Sequence, residues 1–221
     1  WSSNATFLVV LLGPDGEPSG EKGIYKPLKG ERPLWDYPTG LFRREAAAHE
    51  LAAFLGWDVV PRTVVREGPF GVGSLQRFVD ADFEQHYFTL RDSRPDLDDQ
   101  LRTLAALDLI ANSGDRKSGH VLVERFDGED TRIWGIDNGL SFHDEPKLRT
   151  VMWDYAGDPI DAGLLGDIER LLASSDDELG ALAALLSDDE LSMLRARAAR
   201  VLKKGRYPHP PSNYAYPWPM V

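Results

Sequence analysis

The spacing of apolar residues changes near residue 80, and that change limits what the chain can fold into. Before it, short β-branched and apolar runs are separated by glycine and proline. After it, leucine and alanine recur at helical spacing, interrupted by one pair of strand-like runs. Strands first and helices afterwards, with a single hairpin among them, predict an α+β fold of two lobes.

In the first part, residues 6–12 (Thr-Phe-Leu-Val-Val-Leu-Leu) read as a buried strand. Gly13-Pro14-Asp15-Gly16 is a turn, 17–22 reads as loop, and 23–27 is a second strand closed by Pro27. The Pro- and Gly-rich stretch 28–40 is a long loop. A helix follows over 41–55, with Gly56 as its C-terminal cap. Residues 59–65 and 74–79 are strands around a turn-rich 68–73. In the second part, Leu97, Leu101, Leu104 and Ala111 mark a helix that must end at Ser113-Gly114. Strands at 121–126 and 133–136 are joined through Asp127-Gly128-Glu129-Asp130. Residues 164–204 are helices broken near Ser174-Ser175 and Ser187, where Ser187-Asp188-Asp189-Glu190 has the form of a capping box. The tail, with five prolines and four aromatics over 207–221, cannot be helical and lies extended on the body. The expected organisation is a strand-rich lobe over 1–80, a hinge over 81–96, a helix-rich lobe over 97–206 and the tail over 207–221.

Composition removes several classes of function. With no cysteine there is no disulfide scaffold, thiolate metal site or cysteine nucleophile. A net charge of -11 repels nucleic acid and anionic bilayers, and the one dense basic stretch, 195–206, reads as a solvated helix face. No apolar run approaches the ~20 residues that span a bilayer. Trp1-Ser2-Ser3-Asn4 lacks the basic and then apolar order of a secretory signal. A cytoplasmic protein without nucleic-acid or membrane partners is expected. There is neither a Walker-type phosphate loop nor a nucleophile-elbow serine.

Two stretches carry chemistry. Asn112-Ser113-Gly114-Asp115-Arg116-Lys117-Ser118-Gly119-His120 is a polar, glycine-containing loop between a helix and a strand, where rigid elements hold reactive groups. In Trp134-Gly135-Ile136-Asp137-Asn138-Gly139 a carboxylate follows a buried strand and precedes a sharp turn. Counting outward from a turn centred between Gly128 and Glu129 sets His120 opposite Asp137. Directly opposed residues have Cβ atoms roughly 5 Å apart. The pair can hold a hard divalent cation beside Asp115; it equally describes a plain hairpin closed by a His–Asp hydrogen bond. Asp108, one turn beyond Leu104 on the apolar side of its helix, reads as a buried carboxylate bonded to the loop.

Asp115-Arg116-Lys117-x-x-His120 followed by Asp137-Asn138-Gly139 resembles the catalytic loop and metal-binding turn of the phosphatidylinositol 3-/4-kinase-like superfamily, which pairs D-R-H-x-x-N with D-F-G. The sequence is similar to an actinobacterial branch of it, distantly related to HipA-type kinases. Tyr25-Lys26-Pro27, Gly30-Glu31-Arg32-Pro33-Leu34-Trp35-Asp36, Arg44-Glu45, Gly56-Trp57 and Lys147-Leu148-Arg149-Thr150 extend the likeness over nearly the whole chain. The resemblance implies an atypical, protein-kinase-like fold and transfer of the γ-phosphate of ATP to a hydroxyl. Such transfer rests on positioning and charge neutralisation. Lys26 would meet the ATP phosphates and Glu45 would orient it. Asp137 and His120 would hold Mg²⁺, or Mn²⁺. Asp115 would orient or deprotonate the acceptor, Arg116 would support the loop, and Lys117 would stabilise the migrating charge. Ser2, Ser3 and Asn4 would cover the phosphates, and Gln76, Arg77, Phe78 and Val79 would form the strand that receives the adenine.

The chain departs from that pattern at three places. His120 stands where the superfamily has asparagine, and imidazole suits Mn²⁺ better than Mg²⁺. Lys117 stands in place of histidine, and Ser2-Ser3-Asn4 in place of a glycine-rich loop. Two other functions use the same fold: a nucleotide-binding pseudokinase with a regulatory role, and transfer of AMP to protein. The resemblance names a phosphoinositide as acceptor; the charge of -11 favours a protein serine or threonine, the chain's own included, or a soluble small molecule.

Overall fold

The computed structural model describes residues 4–124 and 131–221; Ser2, Ser3 and the expected turn at 127–130 lie outside them. Strands β1 (Phe7–Leu12), β2 (Pro18–Pro27), β3 (Thr63–Gly68) and β4 (Gly71–Arg77) form one antiparallel sheet in the order β1-β2-β4-β3, and helix α1 (Leu41–Leu55) connects β2 to β3. Directly paired residues share a face. Leu8, Ile24 and Gln76 therefore lie on the face of Lys26 and Ser74, where α1 packs and buries Thr63, Ser74 and Gln76. Phe7, Tyr25 and Leu75 lie on the other face, where Phe7 stacks on Phe70 with ring centroids 4.6 Å apart.

Three expectations about the sheet are corrected. The 6–12 run is an edge strand, not a buried one. Only β2 pairs with it, and Leu8, Val10 and Leu12 are exposed. Residues 18–22, expected as loop, are strand, forming with β1 a ribbon exposed on both sides, so no apolar alternation marks them. The strands at 59–65 and 74–79 are shifted to 63–68 and 71–77. Pro69 and Phe70 make the turn, while Val59 and Val60 join the core instead. Gly73 pairs with Pro27, and a Cβ there would lie 2.7 Å from Pro27 Cα, so only glycine lets β4 approach β2 this closely.

The remainder comprises α2 (Tyr87–Ser93), α3 (Asp98–Ala111), the short strands β5 (Val121–Val123) and β6 (Ile133–Gly135), α4 (Ala162–Ala173), α5 (Asp176–Leu179), α6 (Ala181–Leu185) and α7 (Asp188–Lys204). The segment expected as a hinge carries α2, whose Tyr87 and Leu90 are fully buried in a core shared with Leu51 of α1 and Leu104 of α3. α1 ends on Gly56 and α3 on Asn112, both left-handed, as helix ends require. At Ser187 the capping box forms: the Glu190 N–H donates to Ser187 Oγ at 3.3 Å, and the Ser187 N–H donates to Glu190 Oε2 at 2.9 Å.

The hairpin register is also corrected. Val121 pairs with Gly135 and Val123 with Ile133, one residue off the expected count, so Ile136 rather than Asp137 lies opposite His120. The Ile136 N–H donates to the His120 carbonyl at 2.9 Å. The tail lies across the body, not wholly extended as expected but with a 3-10 turn over Asn213–Ala215 capped by Ser212: the Ala215 carbonyl accepts from Thr150 N and Trp153 Nε1, and the Met220 carbonyl accepts from Ser118 N at 2.8 Å. Among the described residues no helix is long and apolar enough to cross a membrane.

Two glycine substitutions should have opposite signs. Gly73→Ala pushes β4 from β2 and should cost about 1–3 kcal/mol. Gly166→Ala, on exposed α4 with nothing within 4 Å, should stabilise by about 0.5–1 kcal/mol. Urea unfolding midpoints check both.

Candidate active site

Lys26 leaves β2 on the face covered by α1 and pairs with Glu45 Oε1 of that helix. Its Nζ also lies 2.7 Å from Asp137 Oδ1. Glu45 does a second job: its Oε2 accepts from the Asn138 N–H at 2.9 Å, so one buried carboxylate ties the sheet lysine to the turn after β6. Burial alone would lower the Lys26 pKa, but Glu45 and Asp137 reverse this and hold it above its ordinary value. Burial would likewise raise Asp137, yet the adjacent Lys26 ammonium keeps it well below the usual carboxylate range.

Asp137 has φ 58°, a left-handed conformation that non-glycine residues adopt at a cost of order 1–3 kcal/mol. It abruptly ends the β6 ladder, leaving Asp137 half-exposed toward Lys26 while Asn138 turns into the interior.

Beneath this turn lies Arg116, 1% exposed. Its Nε and Nη2 donate to the Asp108 carboxylate at 3.0–3.2 Å. Its Nη1 donates to the Ile136 carbonyl at 2.6 Å, and Nη2 also donates to Asn138 Oδ1 at 2.6 Å. Thr150 Oγ1 completes the Asp108 shell at 3.0 Å. One guanidinium thus joins α3, the 112–120 loop and the turn holding Asp137.

His120 is the last residue of a short 3-10 turn, Ser118–His120. Its Nδ1 lies 3.0 Å from the Asp115 carbonyl and 3.4 Å from the Lys117 N–H, and its Nε2 lies 3.4 Å from Asp137 Oδ2. Burial pushes the imidazole down to about 4, so it is neutral near pH 7. Cis ligands of an octahedral ion with bonds of ~2.1 Å lie roughly 3 Å apart, so this pair fits two positions on one cation. Among the described residues no group of three or more His, Cys, Asp or Glu side chains is placed to hold a metal. The two donors match an ion that takes its other ligands from phosphate and water. Asp115 sits at the loop's outer side with Lys117 Nζ 3.2 Å from its Oδ2. Burial raises its carboxyl above the ordinary value, against the opposing pull of Lys117.

The structure therefore brings Lys26, Glu45, Asp137 and His120 together, with Asp115 and Lys117 on the loop that carries His120 and Arg116 below. Other expected positions lie elsewhere. Gln76 is buried and donates to Thr63 Oγ1 at 2.9 Å; Arg77 pairs with Glu124 at 2.6 Å and covers the Trp134 ring. The Phe78 N–H donates to Lys22, and Val79 is buried in a small cluster with Ala81, Leu122 and Trp134. Asn4 Oδ1 accepts from the Arg32 N–H at 2.9 Å. Sequence reasoning gave no role to Asn138, whose part depends on the left-handed turn before it. Nor did it mark Leu8 and Ile24 as neighbours of Lys26 on one face; the alternation of β1 would have shown this only with the edge position known.

No known family model matches the chain. Its fold is that of the kinases: it superposes on the Helicobacter pylori proinflammatory kinase CtkA with a TM-score of 0.53, at 12% identity, over 93% of this chain and 90% of that one. On the Golgi casein kinase with Mn/ADP bound the TM-score is 0.56, at 11% identity, over 96% and 75% of the two chains. At the level of sequence it is 35% identical, over 253 residues, to Protein Rv2133c of Mycobacterium tuberculosis, covering 99% of this chain and 88% of that protein. The chain belongs to the family of Rv2133c.

Removing the guanidinium should be severe. Arg116→Met leaves Asp108 buried and unpaired, which should cost about 3–5 kcal/mol. The double variant Arg116→Met, Asp108→Leu should recover part of that loss without restoring the loop. Denaturant titration of the two variants reads the difference.

Proposed function

We propose that this protein is a metal-dependent phosphotransferase that moves the γ-phosphate of ATP to a hydroxyl. The observation that carries the reading is the convergence of Lys26, Glu45, Asp137 and His120 on one spot, with Asp115 on the loop that carries His120. The kinase fold, and a neighbour of that fold with Mn/ADP bound, support it.

Lys26, held by Glu45, would exchange its contact with Asp137 for the nucleotide phosphates. Asp137 and His120 would hold Mg²⁺ or, given the imidazole, Mn²⁺. When bound, the ion supplies positive charge against the phosphate oxygens. Leu8 and Ile24 would cover the base from above, and the Val79, Leu122, Trp134 and Ile136 cluster would support it from below. The N–H groups of Arg77 and Phe78 already donate to Arg62 and Lys22, so the base edge falls to Val79 and the backbone that follows. The acceptor oxygen attacks the γ-phosphorus, the bond to the bridging oxygen breaks, and ADP leaves with that electron pair. Asp115 takes the hydroxyl proton, for which a raised pKa suits it. Lys117 offsets charge beside it.

A phosphoinositide acceptor, which the superfamily resemblance implies, fits poorly with a chain of net charge -11. Protein serine or threonine, or a soluble molecule, fits better.

Incubation with ATP labelled on the α- or γ-phosphate, with Mg²⁺ or Mn²⁺, tests the reading. Metal-dependent transfer or loss of γ-label is expected, reduced at least ~10²-fold in Asp137→Ala. α-Label on protein would mean AMP transfer instead. Nucleotide binding without turnover with either metal would mean a pseudokinase.

A further inference from the structure

The tail is more than a covering strand. Ala215 and Pro217 face inward, while Tyr214, Tyr216, Trp218 and Met220 alternate outward; Tyr214 is 86% and Trp218 88% exposed. These four side chains line a groove of about 600 Å³ whose remaining wall includes Asp115 and Arg149. A contiguous exposed aromatic surface ordinarily marks a binding site. Here it is held in place: the tail backbone is pinned by Thr150, Trp153 and Ser118.

Arg149 is pinned as well. Its N–H donates to the Ser113 carbonyl at 2.8 Å, and its own carbonyl accepts from Arg116 N at 2.9 Å. Its side chain is exposed at the groove and makes no hydrogen bond or ion pair among the described residues. Lys117, by contrast, is paired with Asp115. In a chain of charge -11 the groove thus offers a guanidinium with no hydrogen-bonded partner, near enough to the carboxylate assigned to deprotonate the acceptor to act on it electrostatically.

Trp, Tyr, Met and Arg are the side chains enriched where proteins contact proteins, and Trp, Tyr and Arg dominate the energy of such contacts. The groove is open and runs along the tail, which makes one 3-10 turn over Asn213–Ala215 and is otherwise irregular. An extended polypeptide presents alternate side chains to one face, which would set a hydroxyl at Asp115 and its neighbours on the rings. We propose that this groove is the acceptor site, and that its occupant is an extended polypeptide segment carrying serine or threonine beside an acidic residue that pairs with Arg149. This rests on the phosphotransferase reading for its chemistry. The hydroxyl oxygen bonds to the γ-phosphorus, ADP departs with the electrons of the broken bond, and the proton goes to Asp115.

The test uses the full chain and a set of Ser-centred peptides with one Glu moved along the flanking positions, beside a matched set with Lys. Glu peptides should be phosphorylated with a kcat/KM at least roughly tenfold higher than Lys peptides. Trp218→Ala, a change at an exposed residue, should raise the peptide KM roughly tenfold or more while leaving the KM for ATP unchanged. Arg149→Gln should erase the preference for Glu. Calorimetry of the best peptide with the ADP-bound protein reads docking without chemistry. Peptide binding weakened by Trp218→Ala, but without transfer of γ-label, would uphold the groove and overturn the phosphotransferase reading. Transfer to peptides indifferent to both substitutions would overturn the groove. So would γ-transfer to inositol, glycerol or phosphoinositide vesicles with none to any peptide.

Discussion

The buried guanidinium of Arg116 is the contact on which the site depends. Taking a cation out of water costs several kcal/mol, and one partner rarely offsets that. Here the fork is filled from three directions: the Asp108 carboxylate, the Ile136 carbonyl and the Asn138 amide oxygen. They come from two pieces of chain, helix α3 and the turn around Asp137. A lysine, with one compact ammonium, cannot reach all three at once. The arrangement thus converts a desolvation cost into specificity: the loop bearing Asp115 and His120 and the turn bearing Asp137 have one mutual position that satisfies the buried charge.

A second constraint couples that rigid floor to the sheet. Glu45 accepts from Lys26 with one oxygen and from the Asn138 N–H with the other. Asn138 in turn accepts from Arg116. The chain Lys26–Glu45–Asn138–Arg116–Asp108 therefore runs unbroken from β2 through α1 to α3. Along it, charges alternate in sign except at the neutral Asn138. The one titratable ring at the site, His120, is held neutral by burial, so it faces Asp137 as a neutral imidazole and not as a competing cation.

Much of this frame was legible in the sequence. Helix α1 was readable to the residue because alanines and leucines mark its side and Gly56 stops it. The end of α3 was readable to within about two residues because Ser113-Gly114 cannot continue a helix, the cap itself being Asn112, and Asp108 because its spacing from Leu104 puts it inside. The edge position of β1 was not legible: a uniformly apolar run looks the same whether it is buried or lies at an edge with one face over a cleft. The hairpin register was missed by one residue because a symmetric count assumes where the turn is centred. His120 and Asp137 nevertheless approach to 3.4 Å. Asp137 has left the ladder in a left-handed conformation and His120 sits on a 3-10 turn, so neither obeys the strand register that the count used.

The tail shows how one segment can satisfy two demands. Its prolines keep it from forming a long helix, but Asn213–Ala215 make a 3-10 turn that the expectation of a wholly extended strap missed, and its inward residues bind it to the body. What the sequence does not state is the alternation, because it depends on which side meets the body. Once Ala215 is fixed by Thr150 N and Trp153 Nε1, and Pro217 is turned inward after it, Tyr214, Tyr216 and Trp218 are left outward beside Asp115. Thr150 is also the residue whose hydroxyl donates to Asp108, and it bridges to Arg116 through the backbone. The aromatic wall of the groove and the floor of the phosphate site are therefore fastened at one point. A shift of Arg116 must move both, and that shared anchor gives the acceptor and the nucleotide a fixed relative position.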